Sequence, residues 1–131
     1  MYKYSTKSKT KLETAHPDLQ RLFQEAIKHI DITIIEGVRS LEKQEELVRT
    51  GKSKTMKSKH LKQADGYSHA VDVMPYPIRW ELDSRNYMFI GFIRGLAAKM
   101  GIKIRCGADW DGDFESKDQT FHDIPHVEII D

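Results

Sequence analysis

The sequence predicts an α+β fold, three or four short, mostly antiparallel strands with helices packed on one side. Two patterns carry that reading. Apolar runs at helical spacing alternate with short β-branched runs, and polar loops separate the strands of the C-terminal half. A chain of 131 residues is also the size of one domain, and no repeat or linker divides it, so residues 1–131 are expected to fold as one unit.

Pro17 opens a stretch in which Leu19, Leu22, Phe23, Ala26, Ile27 and Ile30 recur at helical spacing. The β-branched run Ile32-Thr33-Ile34-Ile35 then ends at Gly37, so a short strand delivers Val38 and Arg39 to its end. Ser40 is placed to cap a second helix over roughly 41–50, with Glu42 and Glu45 suited to its dipole. Residues 51–68, with five lysines and little apolar content, form a long loop of the kind that usually serves function.

Ala70-Val71-Asp72-Val73-Met74 follows as a strand stopped by Pro75 and Pro77. Asp83 and Ser84 can cap a third helix whose buried stripe is Phe89, Phe92, Ile93, Leu96 and Met100, closed by Gly101. Ile102 to Cys106 alternates as a strand, 107–125 is an acidic loop, and Val127-Glu128-Ile129-Ile130 is the last strand.

Composition removes several classes of function. Hydrophobic residues at 39% and charged residues at 31% fit a soluble globule and exclude wholesale disorder. Cys106 is the only cysteine, so an internal disulfide and a thiolate zinc cluster are both excluded, and any metal must rest on His, Asp or Glu. The first residues lack the apolar core of a signal peptide and no run reaches membrane-spanning length, so neither membrane insertion nor export by the general secretory route is expected. Residues 1–62 hold 14 Lys/Arg against 8 Asp/Glu, and 63–131 hold 7 against 12. The basic run Lys52, Lys54, Lys57, Lys59 and Lys62 is either a solvated loop or a surface for an anionic polymer. No aromatic residues interleave with it to stack bases, so no nucleic-acid partner is expected.

Asp72 is the first chemical anomaly, a carboxylate in the middle of an apolar strand. Burying it unpaired would cost several kcal/mol, so it needs either an Arg or Lys partner or a metal. His126 is the second. It begins the terminal strand after Pro125 and stands three residues after Asp123, and the Ile124-Pro125 bend is expected to bring the two together. A carboxylate beside a metal-bound imidazole suits metal-assisted hydrolysis, in which the metal lowers the pKa of water toward about 7 and the carboxylate takes its proton. His60, at the end of the lysine-rich loop, adds the third donor, and two imidazoles with one carboxylate leave a position open as catalytic zinc sites do. His16 and His29 are expected to be surface or capping residues, and His69 falls on the opposite strand face from Asp72.

The segments Ser58-Lys59-His60-Leu61, Ser68-His69-Ala70-Val71-Asp72 and Asp123-Ile124-Pro125-His126-Val127-Glu128 together resemble the zinc peptidases of the D-Ala-D-Ala carboxypeptidase type. Within that group the chain looks like the phage L-alanyl-D-glutamate endopeptidases, small endolysins that cleave peptidoglycan stem peptides. The resemblance covers roughly residues 30–130 and implies a hedgehog/DD-peptidase-like fold, one Zn2+ held by His60, Asp72 and His126, and Asp123 as general base. Gly37-Val38-Arg39-Ser40 with Gln44 resembles the family's arginine-bearing turn, which implies that Arg39 steadies the oxyanion or a substrate carboxylate. Ser58, Gln44, Asp109 and Trp110 are implied as substrate-binding or supporting residues. One departure stands out: family members usually place the histidine and aspartate seven apart, and here His60 and Asp72 are twelve apart. The extra residues lie within Lys62 to Tyr67 and leave His69 as an alternative to His60.

Asp109, Asp111 and Asp113 alternate like the start of a calcium loop, although the twelfth position is Thr120 rather than Glu. They form either a solvated acidic loop or a second, regulatory Ca2+ site. The resemblance further implies a monomer acting on peptidoglycan, made in the host cytoplasm and reaching the periplasmic wall after holin release, with a Gram-negative host. Cleavage of the L-Ala-D-Glu bond is favoured over D-Ala-D-Ala carboxypeptidase or dipeptidase activity by the expected absence of a signal or anchor, and a non-catalytic zinc-dependent wall-binding domain is disfavoured because Asp123 is present.

Overall fold

The computed structural model describes residues 2–80, 84–113 and 123–130. The elements run α1 (Thr6–Glu13), α2 (Pro17–Ala26), β1 (Ile32–Glu36), α3 (Leu41–Arg49), β2 (Ala70–Pro75), α4 (Ser84–Met100), β3 (Ile104–Cys106) and β4 (His126–Ile129). The strands form one antiparallel sheet in the order β1-β2-β4-β3. Helix α1 lies against β1, α4 against β2 and β3, and α2 against both helices, which is the expected α+β arrangement.

Strand alternation sorts the sheet into two faces. Ile32, Ile34, Val71, Val73, Cys106, Val127 and Ile129 join Leu12, Leu19, Leu22, Phe23, Phe89, Ile90 and Ile93 of the helices in the apolar core. The opposite face carries Asp72, His126, Glu128 and Arg105, with Asp72 paired to His126 and Arg105 to Glu128 across the strands. A bulge in β1 adds Glu36 to this row. The register runs Ile34↔Val73 and then Glu36↔Asp72, so Ile35 is the extra residue, and Glu36 stands beside Asp72 instead of turning toward the core.

The expected element order begins at Pro17, whereas the structure places α1 ahead of it. Apart from Leu12 this helix is polar, and a helix of 8 residues is marginal by itself. Tertiary contacts hold it: the Ser5 hydroxyl caps its start, and Ser8 Oγ accepts the Ile34 N–H at 3.0 Å, covering the exposed edge of β1.

The stripe expected on α4 is rotated. Ile90 and Ala97 join Phe89 and Ile93 in the core, while Phe92 sits at the rim with its ring edge-on to His29. This helix is apolar on more than one side, so spacing alone did not choose the buried face. Its Asp83 cap lies outside the described residues. Strand β3 is shorter than expected because the N–H of Ile102 bonds back to the Ala97 carbonyl at 2.9 Å, closing the helix end beside Gly101 instead of joining the sheet.

Gly37 follows the bulge and packs directly under the end of α1. A Cβ there would overlap the Lys11 carbonyl oxygen and the Thr14 hydroxyl, neither able to retreat without disturbing α1. Gly37→Ala is therefore expected to cost about 1–3 kcal/mol, the usual penalty for overpacking. Urea denaturation checks this, and an unchanged midpoint would contradict the close approach.

Candidate metal centre

The site is built on the open face of the sheet. Asp72 projects from the middle of β2, His126 from the first position of β4, and His60 reaches in from the loop before β2. One ligand atom from each lies within 4.8 Å of the others.

His60 is fully buried and its ring is fixed at both nitrogens. Nδ1 lies 2.9 Å from the Gly37 carbonyl oxygen, which can only accept, so Nδ1 carries a proton. Nε2 then faces Asp72 Oδ1 at 3.0 Å. A neutral His60 would present a lone pair to a carboxylate there. A cation between them, either a second proton or a metal ion, makes the contact attractive.

His126 is held in the same fashion by a different partner. Its Nε2 donates to Glu128 Oε1 at 2.8 Å, while Nδ1 faces Asp72 Oδ1 at 3.5 Å and Asp123 Oδ2 at 3.9 Å. Glu128 is buried and receives Arg105 Nη2 at 3.0 Å on its other oxygen. Two imidazoles, each with its outer N–H committed to an acceptor, and one carboxylate facing them make a donor set that fits a divalent metal with a position left open. Among the described residues, no Arg or Lys forms an ion pair with Asp72, so the choice left open by its position in the strand falls to the histidines.

The electrostatics follow from burial and these pairings. Burial pushes the Asp72 carboxyl up, but the hydrogen bonds and charges of His126 and His60 outweigh it and hold Asp72 well below the usual carboxylate range. Burial alone would lower His126, yet Asp72 and Glu128 raise it to about 9. Asp123 moves the other way: burial and the nearby Asp72 charge raise its carboxyl above the ordinary value, which makes it a better proton acceptor.

Asp123 is placed by the backbone. The His126 N–H bonds to the Asp123 carbonyl at 3.1 Å, closing the Ile124-Pro125 turn, and the Asp123 N–H bonds to the Gly107 carbonyl at 3.1 Å. Gly107 N–H in turn reaches the His126 carbonyl at 2.8 Å, and a Cβ on Gly107 would strike the Asp123 backbone. The Gly107 clasp thus sets both Asp123 and His126.

The residues expected as an insertion between His60 and Asp72 form a closed excursion. Lys62 bridges to Ser68, Gln63 N–H reaches the Tyr67 carbonyl at 2.8 Å, and His69 N–H reaches the Lys59 carbonyl at 2.8 Å. The ends of the insertion therefore meet, and His60 stays beside Asp72. His69, the alternative to His60, turns away to Asp65 at 2.7 Å. With His16 these two form a second His/Asp group, but His16 Nδ1 accepts the Asp18 N–H at 3.0 Å and so caps α2. Its Nε2 then bears the proton and offers no lone pair to a metal.

A cleft of about 530 Å³ opens over the centre, lined among others by Arg39, Ser58, Arg105, Trp110 and Asp123. Arg39 is clamped by Glu36 through Nε and Nη2 and by Gln44 through Nη1, which leaves two of its five N–H donors for the cleft. Gln44 is buried and does not line the cleft. It acts through Arg39 and through the loop, bonding Ser53 Oγ at 2.9 Å and the Thr55 carbonyl at 2.6 Å. Ser58 Oγ receives the His60 N–H at 3.1 Å. The Trp110 ring centroid lies 5.2 Å from that of His126, and the Arg105 guanidinium stands over the Trp110 ring, 5.4 Å from its centroid. Asp109 is buried against Arg94 Nη1 at 2.8 Å, below Trp110 and away from the cleft. Its carboxylate groups with those of Asp111 and Asp113, and Thr120 lies outside the described residues.

Sequence reasoning missed Glu36 and Glu128. Glu128 stands two residues after His126 on the same strand face, a charge among apolar neighbours, and the reasoning applied to Asp72 would have found it. Glu36 carried no such signal, since only the bulge turns it to this face.

A family described as phage L-alanyl-D-glutamate peptidase matches residues 1–130. The L-alanyl-D-glutamate peptidase of Escherichia phage T5 is 30% identical over 141 aligned positions that cover 98% of each chain. Among solved structures, the Serratia marcescens L-Ala D-Glu endopeptidase ChiX superposes with a TM-score of 0.78 at 30% identity, covering 98% of this chain and 90% of that one.

A divalent metal must displace the proton from His126, so its apparent affinity rises with pH toward about 9, with proton release on binding. The raised value also means that this proton stabilises the metal-free fold fully below the unfolded-state value of about 6.5 and is lost to stability as pH rises through about 9. The gain in Tm on adding chelator-buffered Zn2+ is therefore larger near the top of that window than at its bottom. Equal gains at both ends would contradict the assignment of His126 as a ligand. Glu128→Gln is expected to weaken metal binding about tenfold, read by competition with a chromogenic chelator.

Proposed function

The chain belongs to the phage L-alanyl-D-glutamate peptidase family, and from that premise we propose that it is a zinc endopeptidase hydrolysing the L-Ala-D-Glu bond of peptidoglycan stem peptides. The observation that carries the reading is the grouping of His60, Asp72 and His126 on the floor of an open cleft with Asp123 beside them. Zn2+ bound by those three residues would supply Lewis acidity to the scissile carbonyl and to a water molecule.

The protein's own groups account for the rest. Asp123, with its raised basicity, takes the proton of the attacking water and returns it to the departing D-glutamyl nitrogen. Arg39 directs its two remaining N–H donors at the developing oxyanion, and Glu36 and Gln44 hold the guanidinium in that pose. Glu128 and the Gly37 carbonyl keep the two imidazoles in the ligating tautomer and orientation. Trp110 and Ser58 shape the cleft wall. The acidic turn at Asp109 is assigned no cation, because Arg94 already neutralises its buried member.

Among the described residues, no helix is long and apolar enough to cross a membrane. Access to the wall after holin release, synthesis in the host cytoplasm, action as a monomer and the folding of the whole chain as one domain belong to the same proposal. A non-catalytic wall-binding role is disfavoured by Asp123, a carboxylate held beside His126 where a general base would be needed.

Purified Gram-negative peptidoglycan supplies the test. Wild-type protein is expected to clear it and to release new N-terminal D-glutamate, to stop on chelation and to recover with Zn2+. Asp123→Ala should bind Zn2+ and melt normally yet lose about 10²–10⁴-fold in kcat. Release of D-Ala instead would reassign the bond, and zinc binding without any cleavage would replace the enzyme with a binding module.

A further inference from the structure

We propose that the lysine-rich strap over residues 52–57 is the subsite for the free carboxylate on the D-glutamyl side of the substrate. The inference rests on the peptidase reading above and names what that cleft selects. Of the five lysines in the loop, Lys52, Lys54, Lys57 and Lys59 line the same cleft as His60, Asp72 and His126. Lys62, the fifth, lines a separate hollow with Glu13, Thr14 and Tyr67. A merely solvated loop has no reason to sort its charges in this way.

The strap is also held in place. Gln44, fully buried, bonds Ser53 Oγ and the Thr55 carbonyl with one amide nitrogen and receives Arg39 with its oxygen, so the strap and the arginine of the site share one anchor. Lys52, Lys57 and Lys59 form no ion pair among the described residues, whereas the carboxylates of the cleft, Asp72, Asp123 and Glu128, all face His126. The cleft therefore has an acidic floor that faces an imidazole and a basic wall in which Lys52, Lys57 and Lys59 form no ion pair among the described residues. A glutamyl residue linked onward through one carboxyl keeps the other as a carboxylate close to the scissile nitrogen. That anion complements Lys52, Lys57 and Lys59, and several weak, solvent-exposed attractions converging on it give selectivity that a single lysine would not.

The zinc-loaded full chain is assayed on two synthetic stem peptides that differ only in whether the free D-glutamyl carboxyl is ionised or amidated. Wild type should prefer the carboxylate. The K52Q/K54Q/K57Q variant is expected to raise KM for the carboxylate peptide about tenfold, with the loss in KM rather than kcat, and to erase the preference, while K62Q behaves as wild type. A triple variant with normal far-UV circular dichroism that keeps the wild-type KM and preference overturns the proposal. So does inhibition by a DNA oligonucleotide that the triple variant relieves in the absence of any carboxylate preference, which would make the strap a general polyanion surface. Wild type that cuts neither peptide refutes the peptidase reading, and the strap is then judged by titration calorimetry alone: the carboxylate peptide must bind wild type about tenfold more tightly than the triple variant, or the proposal falls.

Discussion

The buried carboxylate of Asp72 is the constraint around which the rest of the site is organised. A lone anion in a β-strand would cost several kcal/mol, and the chain offsets this with two imidazoles drawn from opposite ends of the sequence order, His60 before the strand and His126 some fifty residues after it. Because both histidines face one oxygen of Asp72, the three groups are mutually attractive only with a cation among them. In the metal-free protein the proton of His126 serves that purpose, and its raised pKa is the sign of it. The same geometry is compatible with a divalent metal, since the outer nitrogen of each ring is already occupied.

Those outer contacts tie the centre to the fold. Gly37 offers its carbonyl to His60 while packing under α1, and the Thr14 hydroxyl at the end of α1 bonds the Lys11 carbonyl and the Val38 N–H at once. A short helix on the far side of β1 thereby fixes His60. On the other side Arg105 of β3 holds Glu128, which holds His126, so an edge strand of the sheet supports the second imidazole. Gly107 does the same for Asp123 through main-chain bonds, and neither glycine tolerates a side chain. The supports of the site are backbone atoms and buried charges, whereas the wall above it is a loop held by Gln44 and by main-chain bonds to Leu47.

The lengthened loop between His60 and Asp72 shows why sequence spacing is a poor measure of distance in a loop. The spacing of twelve between His60 and Asp72 is accommodated by letting Lys62 to Ser68 fold back on themselves. Loop closure grows only slowly in cost with length, so such an insertion is tolerated once its ends are pinned, here by the Lys59 to His69 hydrogen bond. The extra turn carries His69 and Asp65 away from the centre, toward the cap of α2.

Hydrophobic periodicity by itself determined helix α2, the sheet strands and the general α+β architecture, because burial of an apolar face is written locally at fixed spacings. A charge set among apolar strand residues pointed to Asp72, and the flanking His and Asp residues completed the set that the structure brings together. Tertiary structure decided everything that depended on a partner. Helix α1 exists because Ser8 meets the edge of β1, and the face of α4 that is buried follows from what lies beneath it. Glu36 reaches the site only through a bulge, and the lysines divide between cleft and exterior only once the loop is anchored. Local pattern records which residues seek burial or charge compensation. Which neighbour provides it is settled by contacts between distant segments, which no local spacing encodes.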